Sequence, residues 1–382
     1  MSKKIVLNET SYFGWGARES LVEELADKKY KKALVVTDSN LMELGVAKKV
    51  INVLEKTRLS YEVYSDVKSN PTVSIVKKGL RLANKHHTDV IIAIGGGSVI
   101  DTAKAIGIAV TNQEIKEIRE LTGVVETKNK SLPIIAFPTT AGRASETTYN
   151  YVIADDEKKE KLVCIDKHCI PMTAIVDTEL MASMPSSIAS ATGVVALSQA
   201  IDCYLANDSW EMTEMYALKA MGLIYNNLER SISKDREAME KMALAQYIAG
   251  VGFSNVSMGI INPMTRQLWV MYDTPHGMAK GMLLPYVLEY LGKNNTEKFR
   301  NMANAMGIDI KGYNDERVVK EVIKAIKDLT IRLNFPQHIR HVGGRKGDYT
   351  LLAENTFNDP YLLENQKEIS LEDLTEIFKK AF

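Results

Sequence analysis

The chain has 382 residues, 45% of them hydrophobic, which is enough for two ordinary domains, each with its own core. Its 48 Lys and Arg balance its 48 Asp and Glu, which excludes the chain-wide basic surface that would favour nucleic acid or an anionic membrane as partner. Three cysteines, Cys164, Cys169 and Cys203, are odd in number and form no CxxC pair, so they fit free buried thiols of a reducing cytosol better than a disulfide framework.

The amino end, MSKKIVLNETSYFG, shows no apolar core of a secretory signal, and no uninterrupted apolar run approaches a membrane span, so a cytoplasmic location is expected. KKALVVTDSN (31–40) reads as a β-rich run, and LMELGVAKKVINVLEKT (41–57) as a helix. YEVYSDV (61–67) is the next strand, SNPT (69–72) a turn, and VSIVKKGLRLANKH (73–86) a helix. DVIIAIGGGS (89–98) is a buried strand running into glycines, VIDTAKAIGIAV (99–110) a helix, and LPIIAFPTT (132–140) another buried strand. Strands alternating with helices predict a parallel sheet covered by helices.

Near Met184 the pattern changes to helices at 186–207, 212–231, 236–256, 280–293, 296–305, 315–333 and 371–381. Pro185, Ser186 and Ser187 make a helix start, which predicts an α/β domain over 1–184 and an all-α domain over 185–382. There is no internal repeat or low-complexity tract, and Arg340 to Gln366 reads as loop.

AIGGGSVIDTAKA (93–105) is the strongest local signal. Glycines between a buried strand and a helix let backbone N–H groups approach a pyrophosphate, and the helix N-terminus adds partial positive charge. Ser98 is placed to cap that helix and to donate to phosphate; a tight turn without ligand is the competing reading. Asp38 ends the first strong strand, where a carboxylate accepts from ribose hydroxyls and repels a 2′-phosphate, or else simply caps a helix. In ATGVVALSQAID (191–202), Val195 and Gln199 stand one helical turn apart, placed to grip a ligand jointly, yet neither is a good metal ligand, acid or base.

GGGSVIDTAKAIGI, PTTAGRASE (138–146), ATGVVALSQAID and TPHGMAKGMLLPYV (274–287), in this order, resemble the iron-dependent (group III) alcohol dehydrogenase family. The likeness runs from VLNET (6–10) and FGWGA (13–17) to LEDLTEIFKKAF (371–382). It implies a Rossmann-like, parallel-sheet nucleotide-binding domain followed by a helical domain, the arrangement also of dehydroquinate synthase. It assigns Asp38 to the ribose, Asn70 to the SNPT turn, and Gly96, Gly97 and Ser98 to the pyrophosphate. Thr139 and Thr140 take the second phosphate-side loop, and Lys161 the neighbourhood of the nicotinamide ribose. With Asp38 present, the implied cofactor is NAD(H) rather than NADP(H).

The metal site does not carry over. The family holds iron or zinc with one Asp and three His, and its TGxDALxHA is here TGVVALSQA, leaving Val195 and Gln199 at the first two positions. A segment like GLVHGMAHPLG is here GIINPMTRQLW (259–269), so Asn262 stands at the third and Arg266 replaces a further His beside the substrate. Only His276, in PHG, survives. Tight binding of Fe²⁺ or Zn²⁺ needs three or four good donors, so no tightly bound metal is expected. Arg143 replaces a small residue beside the phosphate loop, Trp269 a small residue after the second His segment, and YLLENQK (361–367) a late family loop.

The resemblance therefore implies an NAD(H)-dependent oxidoreductase interconverting a small alcohol and its aldehyde or ketone, of the lactaldehyde/1,2-propanediol type, without the usual metal. Arg266 is the expected electrophile or anion anchor, and His276 the proton donor. Two gained arginines, Arg143 and Arg266, point to an anionic carbonyl substrate unless each pairs with a local acid. A lapsed homologue serving as an NAD-binding, structural or regulatory protein is the alternative. A conventional iron enzyme built on His86, His87, His168, His338 or His341 is disfavoured, since these lie outside the family pattern. Dimers are common in the family, so a homodimer without nucleic-acid or membrane partners is expected.

Overall fold

The structure is a computed structural model that describes residues 2–158, 160–359, 362 and 369–382. The chain divides into two units, Met1–Pro185 and Ser186–Phe382.

The first unit runs β1 (Thr10–Gly14), α1 (Ser20–Ala26), β2 (Lys32–Asp38), α2 (Ser39–Glu43), α3 (Val46–Leu54), β3 (Ser60–Val67), α4 (Val73–His86), β4 (Val90–Gly95), α5 (Gly97–Thr111) and β5 (Gly123–Val124). It continues with β6 (Ile134–Pro138), β7 (Asn150–Asp155), β8 (Glu160–Ile165), β9 (Thr173–Asp177) and α6 (Thr178–Met181). Six strands form one parallel sheet in the order β1-β9-β6-β4-β2-β3. Along β2 and β4, Leu34, Val36, Ile91 and Ala93 enter one hydrophobic core, while Ala33, Val35, Ile92 and Ile94 enter another. That alternation places a core on each face of the sheet, as a helix-covered parallel sheet requires.

The structure corrects several sequence expectations. The predicted helix 41–57 is two helices, because Gly45 takes φ 73°, a left-handed conformation that ends α2 and starts α3. Strands β1 and β9 extend the sheet at the edge opposite β3, and β5, β7 and β8 form a small second sheet. β1, β5, β7 and β8 are short and only partly buried, and β9, though buried, is a five-residue run with a Thr and an Asp at its ends, so none shows the continuous apolar signal that exposed β4 and β6 in the sequence.

The second unit is helical: α7 (Ser186–Leu205), α8 (Glu211–Ile232), α9 (Arg236–Ser254), α10 (Ile261–Tyr272), α11 (His276–Leu291), α12 (Thr296–Met306), α13 (Asp315–Arg332), α14 (Asp348–Phe357) and α15 (Leu371–Ala381). Helix α7 is its core, packed against α8, α9 and α11. By length and mean hydropathy α7 is apolar enough to cross a membrane, but Ser, Thr, Gln199 and Asp202 interrupt it and most of it is buried inside its own unit, as in the core helix of a folded domain. Helix α10 went unpredicted because Pro263 breaks the pattern, yet Pro263 sits in the first turn, where its missing N–H costs nothing. Helix α14 lies within the stretch expected to be loop.

Candidate functional site

Ligands of open parallel sheets bind beyond the carboxyl ends of the strands, where the order of connection reverses. Here the chain runs from β2 outward to β3 and returns past β2 to β4, so the reversal lies between β2 and β4. Asp38 ends β2, Gly95 ends β4, and Thr139 follows β6, the next strand along. Asp38, Gly96, Gly97, Ser98, Thr139 and Thr140 are thereby lined along one edge. The Thr139 N–H donates to the Gly95 carbonyl at 3.1 Å and ties the two loops together. A Cβ on Gly96 would stand 3.2 Å from Thr140 Oγ1, and one on Gly97 3.3 Å from Ser145 Oγ. Glycine therefore keeps this edge open for a ligand to meet backbone N–H groups.

Two local expectations change. Helix α5 starts at Gly97 with Gly96 as its N-cap, so Ser98 does not cap the helix but lies within its first turn. The N–H groups of Gly97 and Ser98, the first two of the helix, have no residue a turn earlier in it to donate to and suit an anion, whereas that of Val99 already donates to the Gly96 carbonyl at 3.1 Å. The cap reading of Asp38 is realised: Oδ1 accepts from the Leu41 N–H at 2.9 Å. A carboxylate has about four lone-pair sites, so capping leaves capacity for ribose hydroxyls.

Asn70 holds the SNPT turn with φ 54°, and the neighbouring Pro71 carbonyl accepts from the Ala154 N–H at 2.7 Å. Lys161 pairs across the β7–β8 hairpin with Ala154. These contacts gather Asn70, Ser98 and Lys161 around one polar recess that Asp101 and Arg143 also line. Arg143 Nη1 donates to Asp101 Oδ2 at 2.8 Å, and the same oxygen accepts from the Val152 N–H at 3.0 Å. Lys104, one turn along α5, is fully buried and donates to Thr148 O at 2.7 Å and Asn150 O at 2.9 Å; burial pushes its pKa down. Asp101 and Lys104 thus tie the chain around residues 143–152 to α5. Sequence reasoning missed both, although two charges three residues apart on an otherwise buried helix were a usable signal.

In the helical unit, α7 carries Val195 and Gln199, both buried, one turn apart. Helix α10 carries Asn262 and Arg266 with the same spacing, and α11 opens on His276. A Cβ on Gly277 would stand 2.8 Å from the Ala191 carbonyl oxygen, so the start of α11 rests on α7 one turn before Val195. Asn262 Nδ2 donates to Asp202 Oδ2 at 3.1 Å. Burial pushes the Asp202 carboxyl up to about 7, while the charge of Lys280 acts in the opposite sense. Arg266 Nη1 donates to Oδ2 of buried Asp359 at 2.9 Å.

This donor set does not fit Fe²⁺ or Zn²⁺. Val195 offers hydrocarbon, Gln199 and Asn262 neutral amides, and only His276 a strong donor. Among the described residues, no three His, Cys, Asp or Glu side chains gather to hold a metal. His86 ends α4 and His87 is its left-handed C-cap; His168 Nδ1 lies 2.8 Å from Thr127 O; His338 and His341 stack edge-on at 5.3 Å. Both gained arginines engage buried carboxylates, Asp101 and Asp359, so each charge expected to meet an anionic substrate is met by an acid of the protein instead. Trp269 is only partly buried, and YLLENQK lies, except for Leu362, outside the described residues.

The pattern of the family described as iron-containing alcohol dehydrogenase matches residues 8–178, and that of its C-terminal part matches 189–382. Lactaldehyde reductase of Escherichia coli (strain K12) is 41% identical over 382 residues, covering 100% of both chains. The crystal structure of a 1,3-propanediol oxidoreductase superposes with a TM-score of 0.95 at 33% identity, with 100% of both chains covered. Sulfoacetaldehyde reductase from Bifidobacterium kashiwanohense, solved with NAD⁺, gives a TM-score of 0.89 at 26% identity, covering 100% of this chain and 99% of that one.

Proposed function

This chain belongs to the iron-containing alcohol dehydrogenase family and is an NAD-dependent oxidoreductase of small alcohols and aldehydes, and we propose that it works without the metal from which the family takes its name. One contrast carries the proposal. The strand edge keeps every element a dinucleotide needs, from Asp38 through Gly96–Ser98 to Thr139, whereas three of the four metal positions hold Val195, Gln199 and Asn262.

In this reading Asp38 takes the adenosine ribose, the first turn of α5 takes the pyrophosphate, and Asn70, Thr140 and Lys161 complete the cradle. Bound NAD(H) supplies or accepts the hydride. The helical unit supplies the polarising and proton-transferring groups. Arg266, held in place by Asp359, donates hydrogen bonds to the carbonyl oxygen as charge develops on it, and His276 gives that oxygen its proton. A metal ion contributes several kcal/mol as Lewis acid, and a positioned guanidinium recovers part of that.

A short uncharged aldehyde, such as the lactaldehyde named for the Escherichia coli relative, is the substrate class the matched arginines favour. A cytoplasmic homodimer, the assembly expected of the family, completes the reading. The test is NADH-dependent reduction of lactaldehyde by protein stripped with a chelator, repeated with Fe²⁺ or Zn²⁺ added. The same rate in both states is expected. A rate abolished by the chelator and restored by either ion would overturn the metal-free mechanism.

A further inference from the structure

We propose that Arg143 and Ser145, neither of them among the cofactor residues assigned above, bind the nicotinamide-side phosphate of the dinucleotide from the loop that follows β6. The inference deepens the NAD(H) reading above and rests on it.

The loop presents these two side chains together. Ala144, between them, takes φ 55°, a left-handed conformation that a residue with a Cβ adopts at a cost. The Thr147 N–H donates to the Ala144 carbonyl at 2.9 Å and holds the turn closed. Both side chains then meet Gly97, the first residue of α5. The point where a Cβ on Gly97 would stand is 3.3 Å from Ser145 Oγ, 3.8 Å from Arg143 Cδ and 3.9 Å from Arg143 Cβ. The place left by that missing side chain is bounded by a hydroxyl and by the stem of an arginine, beside the Gly97 and Ser98 N–H groups that suit an anion.

Beyond the stem, the guanidinium is held by α5 itself. Nη1 donates to Asp101 Oδ2 at 2.8 Å, one turn beyond Gly97, and the Val152 N–H fixes the same oxygen at 3.0 Å. Arg143 thereby lines the polar recess with Asn70, Ser98 and Lys161. A planar guanidinium can serve a carboxylate and a phosphate at once, and it offsets the charge with which Asp101 would otherwise repel a phosphate. The topology decides which phosphate. Asp38 ends β2 on one side of β4, and Arg143 follows β6 on the other. With the adenosine ribose at Asp38, the loop after β6 faces the other half of the dinucleotide.

Two orphaned groups point to a ligand at this place. Ser145 is 2% exposed and Asp101 1% exposed, yet Ser145 Oγ and Asp101 Oδ1 find no hydrogen-bond partner among the described residues. A buried polar group without a partner costs stability, so a chain that keeps two of them side by side on one loop and its anchor keeps them for something that binds. A ribose phosphate answers both: its phosphate oxygens accept from the serine hydroxyl, and its ribose hydroxyls donate to the carboxylate.

The test separates the two phosphates. AMP carries only the adenosine-side phosphate, whereas ADP-ribose and NADH carry both. Their binding to nucleotide-free protein is measured by titration calorimetry for the wild type, Arg143→Met, Arg143→Lys and Ser145→Ala, with Tm recorded for each unliganded protein. Arg143→Met should weaken ADP-ribose and NADH by about tenfold or more and AMP by less than about twofold, with Arg143→Lys in between. Ser145→Ala should weaken ADP-ribose by about threefold or more while leaving the unliganded Tm unchanged or higher, because it removes an unsatisfied hydroxyl. A loop that acted only as a structural tie would weaken AMP and ADP-ribose alike. Equal losses for the two, or no loss, would overturn the inference and leave the NAD(H) reading standing. Failure of the wild type to bind NADH would overturn that reading too. If Arg143→Met does not fold, Arg143→Lys and Ser145→Ala decide by the same comparison.

Discussion

Arg266 shows both what single positions disclosed and what they hid. Its place could be read from the sequence because it interrupts a recognisable motif; its partner, Asp359, lies 93 residues away and could not. The same holds for Arg143 and Asp101, 42 residues apart. Charge at a position is a property of sequence, whereas neutralisation is a property of packing, and so an anionic substrate was expected where matched pairs are found. Within the proposed mechanism Arg266 touches the substrate oxygen. Arg266→Ala should therefore lower kcat by about 10²-fold, the scale of losing one preorganised donor to a developing oxyanion. Arg266→Lys, which keeps the charge but not the planar fork, should retain part of it. Steady-state kinetics with NADH and lactaldehyde checks this; an unchanged kcat in Arg266→Ala would remove the residue from the chemistry.

At the scale of elements, β2, β4 and α5 were plain from continuous apolar runs and the glycine loop, and with them Asp38, Gly96, Gly97 and Ser98. The β7–β8 hairpin that carries Lys161 was not plain, since its alternation is weak and its anchor is remote. That anchor is Arg119, which donates to Asp155 Oδ2 at 2.5 Å through Nε and to Oδ1 at 3.0 Å through Nη2. The Glu157 and Lys158 N–H groups add two more bonds to Asp155 Oδ1, at 2.9 and 3.1 Å. Arg119 first, then these backbone donors, hold the Asp155 carboxyl well below the usual carboxylate range. A carboxyl depressed in the folded state contributes stability that is present above its unfolded pKa of about 4 and is lost as pH falls toward the folded value. Arg119→Met should accordingly be less stable at pH 7 than the wild type, with the gap narrowing as pH drops below about 4. Urea unfolding at a series of pH values measures the gap. A constant gap would show that the arginine acts by packing and not by charge.

For the molecule as a whole, the two units are specified at different levels. The first unit announces its function in sequence because nucleotide binding uses backbone, and backbone geometry is written in glycines and strand ends. The second unit announces only what it lacks, three donors out of four at the family positions; what Asn262 engages instead, Asp202, becomes visible only when α7 and α10 are packed. Helix α10 had to be found in the structure because Pro263 disguised its start. The central claim is that this family fold performs NAD-dependent carbonyl reduction with side chains in place of a metal. The most direct test is anomalous scattering at the iron and zinc edges from crystals of catalytically active protein grown with NADH. No anomalous peak beside His276 is predicted. A full-occupancy peak with His276 among its ligands would contradict the account.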